Sequence, residues 1–120
     1  MALRCLIVDD NTSFLEQAAA VLDRDGIVIA GIASNTRDAL ERARQLRPDV
    51  ALVDIALGSE SGLELARLLV EALGDSLTVI LVSTHAESDF AEMIEEAPVA
   101  GFVPKAELSV SAIRRIVDAA

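Results

Sequence analysis

"LRCLIVDDNTSF", residues 3–14, runs through apolar side chains and stops on two adjacent carboxylates, Asp9 and Asp10. An unbroken row of Leu, Ile and Val describes a strand covered on both faces, as in a parallel sheet. Two acids side by side repel by about 3 kcal/mol at ~5 Å if the effective dielectric is near 20. Either something offsets that cost or the acids sit in water.

The pattern recurs along the chain. Strand-like apolar runs fall at 3–8, 27–33, 50–53, 77–82 and 101–103, and amphipathic helical patterns fill 12–24, 35–46, 62–73, 87–96 and 110 to the end. Asn11, Thr12 or Ser13 can cap the first helix and Asp25–Gly26 ends it; Ser34 or Asn35 caps the second, with Pro48 after it. Five βα units in a row imply an α/β fold: one doubly wound (βα)5 domain over residues 1–120, with a parallel five-stranded sheet of order 2-1-3-4-5. Ligands in such sheets bind beyond the carboxyl ends of the strands, where the strand order reverses, here between strands 1 and 3.

Composition narrows the function. The formal net charge is -10, and nucleic acid and anionic membrane both need a cationic surface, so neither is expected as a direct partner of this chain. There is no Trp or Tyr, and only Phe14, Phe90 and Phe102, so stacking platforms for bases or flavin rings are lacking. The apolar runs fall far short of the ~20 residues that span a bilayer, and no signal peptide precedes them, which makes a cytoplasmic protein the expectation. The single cysteine, Cys5, sits between apolar neighbours and reads as an inert core thiol.

The strand ends carry the chemistry. The first strand ends on Asp9 and Asp10, the third on Asp54, the fourth on Ser83 and Thr84, and the fifth near Lys105. All are expected at one crevice. Three carboxylates without a nearby His or Cys make an oxygen-only site suited to a hard divalent cation such as Mg²⁺. A lysine opposite that cation suits a phosphoryl group, and a Ser hydroxyl adds a directional donor. The chemistry favoured is attack by a carboxylate on phosphorus.

"VDD" at 8–10, "VDIALGSESG" at 53–62, "ILVST" at 80–84 and "GFVPK" at 101–105 resemble the receiver domain of bacterial response regulators, a flavodoxin-like fold, in order and spacing across the whole chain. The resemblance implies that Asp54 is the phosphoacceptor, served by a sensor histidine kinase or a small phosphodonor. It implies that Asp10 binds Mg²⁺ directly and Asp9 largely through water, joined by Asp54 and the backbone carbonyl of Ala56. Ser83 and Lys105 would then hold phosphoryl oxygens, and Phe102 matches the aromatic switch position that responds to Ser83. Such a domain catalyses only its own phosphorylation and dephosphorylation. Its output surface is the fourth helix, fifth strand and fifth helix, facing a downstream protein or a twin subunit; Arg114 and Arg115 of the last helix are candidates to meet an acidic surface.

Departures from the family pattern are local. Lys105 precedes Ala106 rather than Pro, so the loop after it is expected to differ, and Pro104 suits an edge strand that lacks one donor. Gly58 stands where the family often has Pro, so "LGSESG" is expected to be a looser loop. Ala56 and His85 occupy positions that in the family tune hydrolysis of the acyl phosphate. Met1 and the lack of a trailing linker lead us to expect a single-domain regulator, the alternatives being a receiver excised from a DNA-binding transcriptional regulator and a degenerate receiver that binds partners without phosphorylation. A haloacid-dehalogenase-type hydrolase needs a second acid where Ala56 stands, and a flavodoxin-type cofactor binder needs a phosphate loop where the chain has "DDNTS".

Overall fold

Five parallel strands form one sheet in the computed structural model, which describes residues 2–84 and 91–119. The strands are β1 (Arg4–Val8), β2 (Val28–Ala33), β3 (Val50–Asp54), β6 (Thr78–Ser83) and β7 (Gly101–Pro104), in the order β2-β1-β3-β6-β7. This is the expected 2-1-3-4-5 order, with a small hairpin, β4 (Ala56–Leu57) and β5 (Glu60–Ser61), inserted after β3. Among the described residues, α1 (Thr12–Arg24), α2 (Thr36–Leu46), α3 (Gly62–Leu73) and α4 (Ala91–Glu96) connect the strands, and α5 (Val110–Ala119) follows the last of them. No described helix is long and apolar enough to cross a membrane.

The pleat sorts each strand into two cores, because successive side chains point to opposite faces. Leu6, Val8, Ala51, Val53, Val79 and Leu81 join Ala39, Ala43, Leu65 and Leu69 of α2 and α3 on one face. Cys5, Ile7, Val50, Leu52, Ile80 and Val82 join Leu15, Ala18 and Leu22 of α1 and Ile113 of α5 on the other. β1, β3 and β6 are central and covered on both faces, which is why their sequences show no polar alternation.

The helix starts are set by side chains that accept orphan N–H groups. Asn11 accepts from Phe14, Asn35 from Asp38, Ser61 from Glu64 and Ser109 from Ala112. Of the candidate caps, Asn11 and Asn35 are the ones used. At the other end of α2, Arg47 takes a left-handed conformation (φ 50°) just before Pro48. A residue before proline is disfavoured in the right-handed helical region, so the helix stops there.

One expectation is corrected. The stretch from Ala56 to Ser61 is not a loose loop: Ala56 pairs with Ser61 and Leu57 with Glu60, around a turn whose Gly58 has φ 62°. Positive φ at the first central residue alone is the signature of a II′ turn, which glycine adopts without strain, so hairpin pairing replaces the stiffness a proline would give. The start of the fourth helical pattern, including Phe90, lies outside the described residues, as does His85; α4 is described from Ala91. The segment after Lys105 is one 3₁₀ turn, Lys105–Glu107, and no cis peptide bond occurs among the described residues. Pro104 lies on the edge strand β7, where its missing donor costs no ladder bond.

Candidate functional site

The crevice at the carboxyl ends of β1, β3 and β7 is assembled by strand register. Asp9 follows Cys5 and Ile7 on the row facing α1 and α5, and its N–H still bonds the Ala33 carbonyl at 3.0 Å, so it is held as tightly as a strand residue. Asp54 follows Val50 and Leu52 on the same row, and Lys105 follows Val103. Period-two alternation thus aims two carboxylates and one ammonium to the same side. Lys105 Nζ lies 2.5 Å from Asp9 Oδ2 and 3.2 Å from Asp54 Oδ2.

The two adjacent acids turn out to be unequal. Asp9 is fully buried and Asp10 is exposed. Asp10 lies in the bend just past the strand, where water screens it, which is how the strand end tolerates both. Asp9 Oδ1 accepts the Asn11 N–H at 2.9 Å, whereas Asp9 Oδ2 is buried with no hydrogen bond and has only the ion pair to Lys105. Asp54 Oδ1 accepts the Ala56 N–H at 3.2 Å.

Burial raises the Asp54 carboxyl above its ordinary value of 3.8, and the nearby charge of Asp9 adds to the rise; the Lys105 ammonium and the Ala56 N–H oppose it without cancelling it. Burial alone would lower the Lys105 ammonium, but its contacts with Asp9 and Asp54 outweigh that and raise it above 10.5. Asp9, Asp10 and Asp54 each bring a carboxylate oxygen within 4.8 Å of the others. Three carboxylates against one ammonium leave a formal charge of -2 when all are ionised. An all-oxygen donor set and a surplus of two negative charges fit a hard divalent cation.

Ser83 and Phe102 lie on the opposite row. Ser83 is buried at the end of β6, after Val79 and Leu81, and pairs in register with Pro104. Phe102, half-buried, pairs with Leu81 and packs against the core shared by α2 and α3. Ala56 is exposed two residues past Asp54, at the start of the hairpin.

Two positioning features escaped the sequence reading. Gly62 donates to the Ile55 carbonyl at 2.7 Å, and a Cβ there would lie 1.8 Å from the Asp54 carbonyl oxygen. The hairpin can return to the back of β3 only through glycine. The ring of Phe14, in the first turn of α1, stands 4.3 Å from Lys105 Nζ. A residue four places past Asp10, on a helix that starts at the crevice, was the available signal.

A doubly wound α/β domain with an acid cluster and a lysine at its strand ends defines a class of phosphoryl-handling signalling folds, and the comparisons give the family. Residues 5–118 match the model of the response regulator receiver domain, and the chain belongs to that family. It is 34% identical over 104 residues to the response regulator GacA of Pseudomonas viridiflava, covering 86% of this chain and 48% of that one. Among solved structures, a two-component response regulator of the LuxR family from Aurantimonas sp. SI85-9A1 superposes with a TM-score of 0.85 at 27% identity, covering 99% of this chain and 87% of that one. A response regulator protein from Burkholderia pseudomallei, solved with a phosphorylated aspartic acid, a calcium ion and citrate, gives 0.82 at 25% identity, covering 96% of this chain and 66% of that one. The chain spans about half the length of the curated relatives it matches.

Proposed function

We propose that this receiver is a Mg²⁺-dependent phosphoacceptor switch in which Asp54 takes a phosphoryl group from a sensor histidine kinase. The observation that carries the reading is the placement of Asp54 between two further acids and the Lys105 ammonium. An Asp54 carboxylate oxygen bonds to phosphorus as the donor's bond to phosphorus breaks; the donor keeps that electron pair, and an acyl phosphate results. Asp9, Asp10, Asp54 and the Ala56 carbonyl would hold Mg²⁺, which when bound supplies positive charge to the phosphoryl oxygens. Lys105 releases its carboxylates to pair with one of those oxygens, and Ser83 donates to another. The family likeness supports the phosphoacceptor role, as does the phosphorylated aspartic acid of the Burkholderia relative.

Phosphorylation acts by favouring one of two arrangements of the domain. Moving a 1:99 population to 99:1 takes about 5.5 kcal/mol of differential binding, within reach of a cation, an ammonium and a hydroxyl acting on one dianion. Ser83 and Phe102 share a side-chain row, which supports a switch that runs from the phosphoryl group through β7 to the surface of α4, β7 and α5. On α4, Ile94 packs on the core while Met93 stands 47% exposed, open to a downstream protein or a twin subunit.

A second arrangement of the output is favoured by the length of the relatives: a receiver joined to an effector domain in a longer, cytoplasmic regulator, in place of one that acts alone. The mass of the gene product detected in its native cell separates the two.

The test of the switch is intact mass after incubation with acetyl phosphate, with and without Mg²⁺, for the wild type and Asp54→Ala. A single Mg²⁺-dependent gain of about 80 Da, one phosphoryl group, absent in the variant, is expected. Full labelling of Asp54→Ala rejects the assignment. If no donor labels the wild type, a degenerate, binding-only receiver replaces it.

A further inference from the structure

The proposed switch gives no part to Phe14, yet its ring touches the central cation. The Lys105 ammonium is held from inside the crevice by Asp9 Oδ2 and Asp54 Oδ2, and its side chain is 11% exposed. On its other side a groove of about 440 Å³ opens between α1 and the segment after β7, lined by Phe14, Gln17, Val21, Ala106 and Leu108 among others. Lys105 is the one charged residue among the described residues that line it. Among the described residues no carboxylate lines the groove; what the ammonium meets there is the face of Phe14, at 4.3 Å from the centroid. The electron-rich face of a ring attracts a cation most when water is scarce, as it is here.

We propose that Phe14 is the positioning residue for Lys105: its ring face keeps the ammonium at the mouth of the crevice when Asp54 becomes an acyl phosphate and its carboxylate no longer holds the ammonium. The proposal rests on the reading of Lys105 as the cation that meets the phosphoryl group. A lysine stem has four rotatable bonds and loses substantial freedom when its end is fixed. With the ring in place, that freedom is already reduced before the donor arrives. Without it, the ammonium can swing into the groove and its water, and phosphoryl transfer slows although the fold is intact.

Simple apolar packing and a cation–π contact make opposite predictions for two substitutions. Phe14→Leu keeps an apolar side chain in the core facing α1 and α5 but removes the ring; Phe14→Tyr keeps the ring. The experiment compares initial rates of labelling by acetyl phosphate at saturating Mg²⁺ in wild type and both variants, with urea unfolding to confirm that each is folded. A parallel NMR measurement on the metal-free proteins reads the Lys105 ε-methylene protons, which a ring face shifts upfield. The expected result is a rate lower by roughly threefold to thirtyfold in Phe14→Leu and within about twofold of wild type in Phe14→Tyr. The upfield shift is expected in wild type and Tyr and is lost in Leu.

Equal rates in Phe14→Leu and wild type overturn the proposal, as do equal losses in Leu and Tyr. A Lys105 methylene at its ordinary position in the metal-free wild type overturns it whatever the labelling shows. An upfield-shifted Lys105 in a domain that no donor labels is a different failure: it sinks the phosphoacceptor reading, and with it the role of Phe14, while the ring contact stands.

Discussion

Replacing Lys105 with Met should reveal how much of the fold's stability hangs on one buried charge. Asp9 is fully buried, its Oδ2 has no hydrogen bond, and Lys105 at 2.5 Å supplies the cation facing it. Breaking a buried ion pair by removing one partner costs about 3–5 kcal/mol, because the remaining charge is left uncompensated. The lower end applies here, since Asp54, whose carboxyl is already raised, can take up a proton and relieve part of the repulsion. Met is close to Lys in length and can still pack on Phe14, so the substitution removes charge more than volume. A loss of about 3 kcal/mol is a large share of the ~5–15 kcal/mol of a typical domain and lowers Tm by roughly 10 °C. The assay is urea unfolding at pH 7 in EDTA, repeated in an Asp9→Asn background. There the same substitution should cost less, because the carboxylate left facing Lys105 is Asp54, whose raised carboxyl can take up a proton. A loss under about 1 kcal/mol in the wild-type background, or equal losses in both, would refute the claim that Lys105 stabilises Asp9.

Three further outcomes are expected. Asp54→Asn should stabilise the metal-free domain at neutral pH: a carboxyl raised by folding contributes stability below its ordinary value of 3.8 and loses it as pH rises through the raised value, so the variant's gain should vanish below about pH 4. A gain that persists unchanged at pH 3 would contradict this, and urea melts across pH read it. Gly62→Ala places a Cβ 1.8 Å from the Asp54 carbonyl oxygen, so it should unfold the hairpin or cost more than about 3 kcal/mol; a near-neutral effect in thermal melts would mean the return to β3 is not tight. Mg²⁺ should raise Tm progressively with its logarithm once above its dissociation constant, and Asp10→Ala should flatten that response; an undiminished rise in the variant would misplace the metal.

What the sequence made legible was whatever repeats. Unbroken runs such as "LTVILV" and helical spacing between them specify five βα units, and the right-handed crossover leaves few ways to order the strands. Asp9, Asp54 and Lys105 were legible for the same reason, since each ends a strand and strand ends share one edge of the sheet. The hairpin was not, because two-residue strands carry no period and Gly58 alone reads equally as slack or as a tight turn. The inequality of Asp9 and Asp10 was also hidden, because the sequence does not show where the chain leaves the sheet, and Asp10 lies in the bend just past β1. Phe14 looked like one more apolar helix residue; its contact with Lys105 joins residues 91 positions apart, a separation no local pattern encodes.

The thiol of Cys5, the one cysteine in the sequence, is fully buried in the core facing α1 and α5, and burial, with a backbone contact at Leu52 opposing it, pushes its pKa up to about 12. At neutral pH almost none of it is thiolate, the form that reacts with maleimides and disulfides. The wild-type chain is therefore already a blank background for site-directed labelling. A cysteine placed at the exposed Met93 position of α4 can carry a fluorophore or spin label without first stripping the native thiol, and so report motion of that helix in an otherwise unaltered domain.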